Sequence, residues 1–188
     1  MKKIKVCFVA PSAWTLFAED LGYRGKTAFG GSEFQLYQLA KELARDKNID
    51  VSFIVGDFGQ KNPLNYKGIT IYKAFKPALL NELPSGGFGI ARYYIKASGQ
   101  GLRLWKALTY AQADIYLQSA AGRETGIIAF FCKLFRKEFV YLVASDIDVS
   151  GKYIKRNGLR GKTFGWGLKN ADLIITQHHA QKELLEKN

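Results

Sequence analysis

The sequence predicts an α/β doubly wound fold built on a mainly parallel sheet of six or seven strands. Short, β-branched apolar runs alternate with longer stretches of helical periodicity along the chain. The strand-like runs are apolar nearly throughout, as strands buried on both faces must be. A first strand, a helix and a second strand also fit within about fifty residues, the scale of one parallel crossover unit.

The first strand is Ile4 to Ala10, and Pro11 stops it. A loop of small and aromatic residues follows to Gly31. Ser32 and Gln35 then form a capping-box pattern, and Leu36, Leu39, Ala40 and Leu43 repeat at helical spacing through Arg45. The turn Asp46 to Asp50 leads to a second strand, Val51 to Val55. Ile69 to Tyr72 makes a weaker strand, and Pro77, Pro84, Gly86, Gly87 and Gly89 mark an irregular stretch. Ile90 to Gln112 is mostly helical despite Gly99 and Gly101, and Asp114 to Ser119 is the next strand. A helix over Glu124 to Phe135, a strand over Phe139 to Ala144, a helix over Gly161 to Asn170, a strand over Leu173 to Thr176 and a helix from Ala180 to Lys187 complete the alternation. Val6, Phe8, Ile54, Leu117, Val140 and Ile174 are expected inside the sheet.

With 188 residues, 47% of them hydrophobic and 14% aromatic, the chain is sized for one globular domain, 1–188, without repeats or linkers. Cys7 and Cys132 lie inside apolar runs without metal-ligand spacing and read as reduced core residues. The first apolar stretch is too short to span a bilayer and is interrupted too soon for a signal peptide. A cytoplasmic protein is expected, with a peripheral place on the inner membrane face within reach. The closing QKELLEKN has no finishing cap, as expected of a chain cut from something longer, the other reading being a natural end at a frayed helix.

Twenty-eight basic against 16 acidic residues give a net charge of +12, which draws anionic partners. Nucleic acid is set aside: there is no zinc-finger spacing, aromatic RNA-binding strand motif or recognition-helix pattern. The excess is assigned to an anionic acceptor or an anionic membrane surface. The segment GFGIARYYIKASGQGLRLWKALTYA interleaves basic with aromatic and aliphatic residues as interfacial helices do, but Gly99 and Gly101 interrupt a continuous amphipathic face, which favours for the helix itself the reading that it packs on the sheet with its charges in water.

In a doubly wound sheet, ligands collect outside the carboxyl ends of the strands. After the first strand, Gly30, Gly31 and Ser32 bring backbone and a helix N-terminus to that edge, an arrangement that favours phosphate. The dinucleotide fingerprint G-x-G-x-x-G does not follow the first strand, and no Walker A motif occurs.

The segment GGSEFQLYQLAKELARDKNIDVSFIVG resembles the opening of family 4 glycosyltransferases, retaining enzymes of the GT-B fold. ADIYLQSAAGRETGIIAFFCKLFRKEFVYLVASD and ADLIITQHHAQKELL continue the resemblance, which is weakest between Gln60 and Leu108. It implies the Rossmann-like N-terminal, acceptor-side domain of an enzyme that moves a sugar from a nucleotide-sugar donor to an acceptor hydroxyl with retention of configuration. The nucleotide-sugar-binding C-terminal domain would lie outside this chain, and no cofactor or obligatory metal is implied. By the same resemblance Gly30 and Gly31 lie near the donor phosphates, and Gln118, Ser119, Arg123, Ser145 and Asp146 are candidates for a carbohydrate or lipid-linked acceptor. Gln118 stands where many family members carry a histidine, and glutamine cannot act as a base. Glu33 is expected at a helix start, and His178 and His179 as capping or surface residues. The competing reading is a stand-alone, non-catalytic binding module with the same fold.

Overall fold

The computed structural model describes residues 2–22, 29–76 and 87–187, with the backbone alone for 87–98. At the centre of the sheet is β1 (Ile4–Val9), whose side chains alternate between faces: Val6 and Phe8 enter one core, Cys7 and Val9 the other. Its parallel neighbours are β2 (Ile49–Val55) and, on the other side, β5 (Ile115–Ser119). Beside β2 runs β4 (Ile69–Lys73), and beside β5 run β6 (Glu138–Leu142) and β7 (Leu173–Ile175), all parallel. An antiparallel edge strand, β3 (Leu64–Tyr66), pairs with β4. The order is β3-β4-β2-β1-β5-β6-β7. Counted along the chain, the six parallel strands therefore run 3-2-1-4-5-6, the doubly wound Rossmann order, which reverses between β1 and β5.

Helices cover both faces. On one side α1 (Trp14–Asp20) and α2 (Gly31–Leu43) bury Phe17, Leu36, Tyr37 and Ala40 against Phe8 and Phe53. On the other, α3 (Gly87–Ala111), α4 (Arg123–Phe135) and α7 (Gly158–Lys169) bury Leu104, Leu108, Ile128, Phe131 and Phe164 against Tyr116 and Tyr141. Two short helices, α5 (Asp146–Val149) and α6 (Lys152–Arg156), precede α7, and α8 (His179–Glu186) follows β7. Cys7 and Cys132 are free and buried, and burial pushes the Cys7 thiol up to about 12. Among the described residues no helix is long and apolar enough to cross a membrane.

Several elements depart from the sequence expectation. The stretch expected as loop to Gly31 begins with a 3-10 turn and α1, in which Trp14, Thr15, Leu16, Phe17 and Ala18 are all buried. A segment buried all round carries no 3.6-residue stripe, so periodicity missed it. Residues 23–28 of that loop, and 77–86 of the irregular stretch, lie outside the described residues. Helix α2 is capped not by Ser32 and Gln35 but at Gly30, whose N–H donates to Glu33 Oε2 at 3.0 Å, while Ser32 Oγ donates to the same oxygen at 2.9 Å. A carboxylate is the stronger acceptor and also suits the positive end of the helix. Val140 and Ile174 are in the sheet but only half-buried, because β6 and β7 lie towards its edge. Strand β3 is too short to show a pattern.

Two local devices fix the frame. At the amino ends of the strands, the repeated Ala-Asp pairs Ala113-Asp114 and Ala171-Asp172 act as clamps. Asp114 Oδ2 accepts the N–H of Lys5 at 3.1 Å, and Asp172 Oδ2 accepts that of Phe139 at 2.7 Å, each tying a strand start to its neighbour. Between helices, α4 and α7 cross backbone to backbone. A Cβ on Gly167 would lie 2.6 Å from the nitrogen of Gly126, and one on Gly126 would lie 2.6 Å from the carbonyl oxygen of Thr163.

Gly167→Val should therefore force the helices apart and cost about 1–3 kcal/mol or more in urea unfolding. By contrast, a methyl group at Gly99 in α3 would have nothing within 4 Å, so Gly99→Ala should raise stability by about 0.5–1 kcal/mol. The Lys5 N–H, and secondarily Lys137, hold the Asp114 carboxyl below its usual range. A depressed folded pKa stabilises above the unfolded value near 3.8 and is lost as pH falls through the folded one. Asp114→Asn should accordingly lower Tm at pH 7, and the gap to wild type should close in melts taken near pH 2.

Candidate functional site

The reversal between β1 and β5 opens the carboxyl edge of the sheet, and the connections that follow the strands deliver helix starts there: α2 at Gly30, α4 at Gly122, α5 at Ser145 and α8 at His178. The first amides of each helix have no carbonyl partner within it, so the edge favours anions.

Gly30 and Gly31 are both exposed on this edge. Open space surrounds the Cβ position of Gly31, whereas a Cβ on Gly30 would meet Glu33 Oε2 at 2.8 Å. Glu33 already occupies the Gly30 amide, which leaves the Gly31 side of the turn open. One helical turn on from Gly31, Gln35 Oε1 accepts from Gln177 Nε2 at 3.3 Å, joining the start of α2 to the loop after β7. The Gln177 N–H donates to Gln181 Oε1 at 2.9 Å, and Gln181 Nε2 donates to Asp146 Oδ1 at 3.2 Å. His178 Nε2 lies 3.5 Å from the same Asp146 oxygen. A chain of amide and carboxylate contacts thus runs along the edge from α2 to α5, with Asp146 and His178 exposed at its end.

Of the other expected site residues, Gln118, Ser119 and Arg123 turn inward, and Ser145 is exposed but committed to its own helix start. Gln118 is buried, and its Nε2 donates to the carbonyl of Ala120 at 3.2 Å. Ser119 Oγ donates to the carbonyl of Leu142 at 2.9 Å and so ties β5 to β6. Arg123 turns its guanidinium onto Gln100 Oε1 of α3, and its Nε lies 3.8 Å from Glu124 Oε1, too far for a hydrogen bond. Ser145 is the N-cap of α5 and donates through N and Oγ to Asp148, both at 3.4 Å. The structure therefore brings Gly30, Gly31 and Asp146 to one surface and places Gln118, Ser119, Arg123 and Ser145 in its support.

Two residues that the sequence did not single out organise this support. Asp148 is buried and accepts from Tyr141 Oη at 3.1 Å and the Ala144 N–H at 2.9 Å, which fixes the turn after β6. Burial, then the Asp148 charge, pushes the Tyr141 hydroxyl far above its usual range, so Tyr141 donates. The spacing Ser145-x-x-Asp148 is a capping-box signature and carried the signal. Gln100 is buried inside α3, where no pattern marked it. Gln100 Nε2, Gln118 Oε1 and Arg123 Nε are buried without a hydrogen-bond partner, leaving unused polar capacity beneath the switch point. Among the described residues no three of His, Cys, Asp and Glu converge as a metal site.

No protein-family model matches the chain, and no curated protein matches it.

Asp148→Ala strands a buried tyrosine hydroxyl and a backbone N–H, so it should cost on the order of 2–3 kcal/mol. Asp146→Ala takes one acceptor from the buried Gln181 amide and leaves an otherwise exposed position, so it should cost about 1 kcal/mol, less than the Asp148 change. Urea titrations of the two variants check the contrast.

Proposed function

We propose that this chain is the acceptor-side, Rossmann-like half of a retaining glycosyltransferase of the GT-B type. A second, separate domain would hold most of the nucleotide-sugar donor. The observation that carries this reading is the exposed Gly30-Gly31 start of α2 on the carboxyl edge of a 3-2-1-4-5-6 sheet that has no dinucleotide fingerprint after β1. The resemblance of the GGSEFQLYQLAKELA segment to family 4 enzymes supports it.

In this reading the Gly31 backbone and the first turn of α2 receive the donor's diphosphate across the interdomain cleft. The open space at Gly31 and the field of the helix end suit that task. Asp146 and His178, linked at 3.5 Å, face an acceptor hydroxyl at the same edge. Gln118, Ser119, Arg123 and Ser145 act by positioning: each holds a turn of the edge in place. The transfer needs no redox cofactor, and an acceptor that is a sugar or a lipid-linked sugar fits a polar edge of amides and carboxylate.

The test has two parts. Calorimetry on this chain should show nucleotide sugars binding weakly or not at all, and a low-micromolar Kd would overturn the division between halves. In the two-domain protein, Gly31→Val should lower kcat/KM at least tenfold with an unchanged melting profile. Unchanged transfer in a folded variant would remove Gly31 from the donor site.

A further inference from the structure

The charge of this protein is not spread evenly. Helices α3, α4 and α7 carry nine basic residues (four, two and three) and one acidic residue, Glu124, which lies beside Arg123. These three helices pack side by side on one face of the sheet, and between them lies an open groove of about 650 Å³. Its lining is almost wholly apolar: Leu102 and Trp105 from α3, Ile127 and Phe130 from α4, and Thr163 and Trp166 from α7. Gly101 and Gly126 let the helices approach closely enough to form its floor.

The groove opens onto a continuous aromatic surface. Phe130 stands 5.9 Å from Trp105 and 6.3 Å from Trp166, and Trp105 lies 6.0 Å from Phe135, centroid to centroid. Leu102 is 72% exposed, Leu134 57% and Phe130 53%, which for large apolar side chains on neighbouring helices is a patch and not scatter. Cations border it on two sides. Along α3, the exposed Arg103 and Lys106 sit next to Leu102 and Trp105 and line a polar cleft together with Lys73. At the C-terminal ends of α4 and α7, Lys133, Arg136 and Lys169 line another.

We propose that this face is a docking surface for an anionic phospholipid bilayer, with Leu102, Phe130 and Trp166 entering the headgroup boundary and the bordering lysines and arginines meeting lipid phosphates. Tryptophan, phenylalanine and leucine on the inner part and basic residues around them are the composition of interfacial helices. A second copy of the chain is disfavoured by the charge itself, because two such faces would bring like charges together. The surface is made by the sides of helices, not by the carboxyl edge of the sheet, so it stands independently of the glycosyltransferase reading.

Co-sedimentation with vesicles tests it. The chain should pellet with phosphatidylcholine vesicles containing about 30% phosphatidylglycerol at low ionic strength, and much less with phosphatidylcholine alone, with binding falling as salt rises. Arg103→Glu and Lys106→Glu should each weaken partitioning at least fivefold, since one basic residue near such a surface is worth about a factor of five. The double substitution Leu102→Gln with Phe130→Gln, at exposed positions, should weaken it at least tenfold while far-UV circular dichroism and Tm stay unchanged. Brominated lipids should quench tryptophan emission through Trp105 and Trp166, a readout that needs no variant. Absence of pelleting on anionic vesicles, equal binding to neutral ones, or binding insensitive to the double substitution would overturn the proposal. So would a dimer in light scattering that the double substitution turns into monomer, which would assign the face to a second copy.

Discussion

The contact between α4 and α7 sets the geometry of one whole side of the molecule. At Gly126 and Gly167 the two helices meet with no side chain between their backbones. Helices packed through larger residues keep axes about 8–10 Å apart, and the glycine pair brings these closer than ordinary side chains permit. Helix α4 starts at the switch point and α7 leads into β7, so the crossing fixes how two successive crossover connections lie over β5 and β6. Ile154 of α6 closes onto the same helix through Gly161 and Gly165, where any Cβ would lie within 3 Å of it. Helices α4, α6 and α7 are thereby locked into one layer by the absence of side chains.

Polar groups do comparable work at the two ends of the sheet, with different consequences. At the amino ends, Asp114 and Asp172 commit their carboxylates to backbone N–H groups of neighbouring strands, and Asp114 also to Lys137, so they are tied to the frame. At the carboxyl ends Asp148 is used in a similar way, and Glu33 and Asp57 accept the N–H groups of Gly30 and Gly59 within their own turns. The exposed Gln35, Gln177, Asp146 and His178 meet there directly or by way of the buried Gln181, and the Gln35–Gln177 and Asp146–His178 contacts, at 3.3 and 3.5 Å, are ones a ligand can exchange for its own. That difference in commitment separates a structural edge from an edge available for binding.

The sequence made the strands and the long helices legible because each has a period matched to its burial. Buried runs such as VCFV and VSFIV announce a two-sided sheet, and Leu36, Ala40 and Leu43 announce α2, although Leu39 of the same spacing is exposed and Tyr37 is buried in its place. Elements buried all round, or too short to complete a period, carry no such signal: α1, β3, α5 and α6 emerge only in the folded chain. The carboxyl-edge residues were found by following each strand to its end, which located Gly30, Gly31 and Asp146. Which of them face outward was not legible, because the inward turn of Arg123 depends on Gln100, 23 residues earlier and on another helix. The apolar groove was equally hidden, since its lining comes from three helices and no single one shows the patch.

The strands at the two edges of the sheet, β3 and β7, are each three residues long. An edge that short offers an incoming chain only a few free hydrogen-bonding groups, and β3 is flanked by Pro63 on one side and Lys67 on the other. Ladder growth from molecule to molecule therefore has little to build on, even though the centre of the sheet is among the most apolar parts of the chain. The brevity of both edge strands thus works against edge-to-edge fibre formation in concentrated solutions of the folded protein.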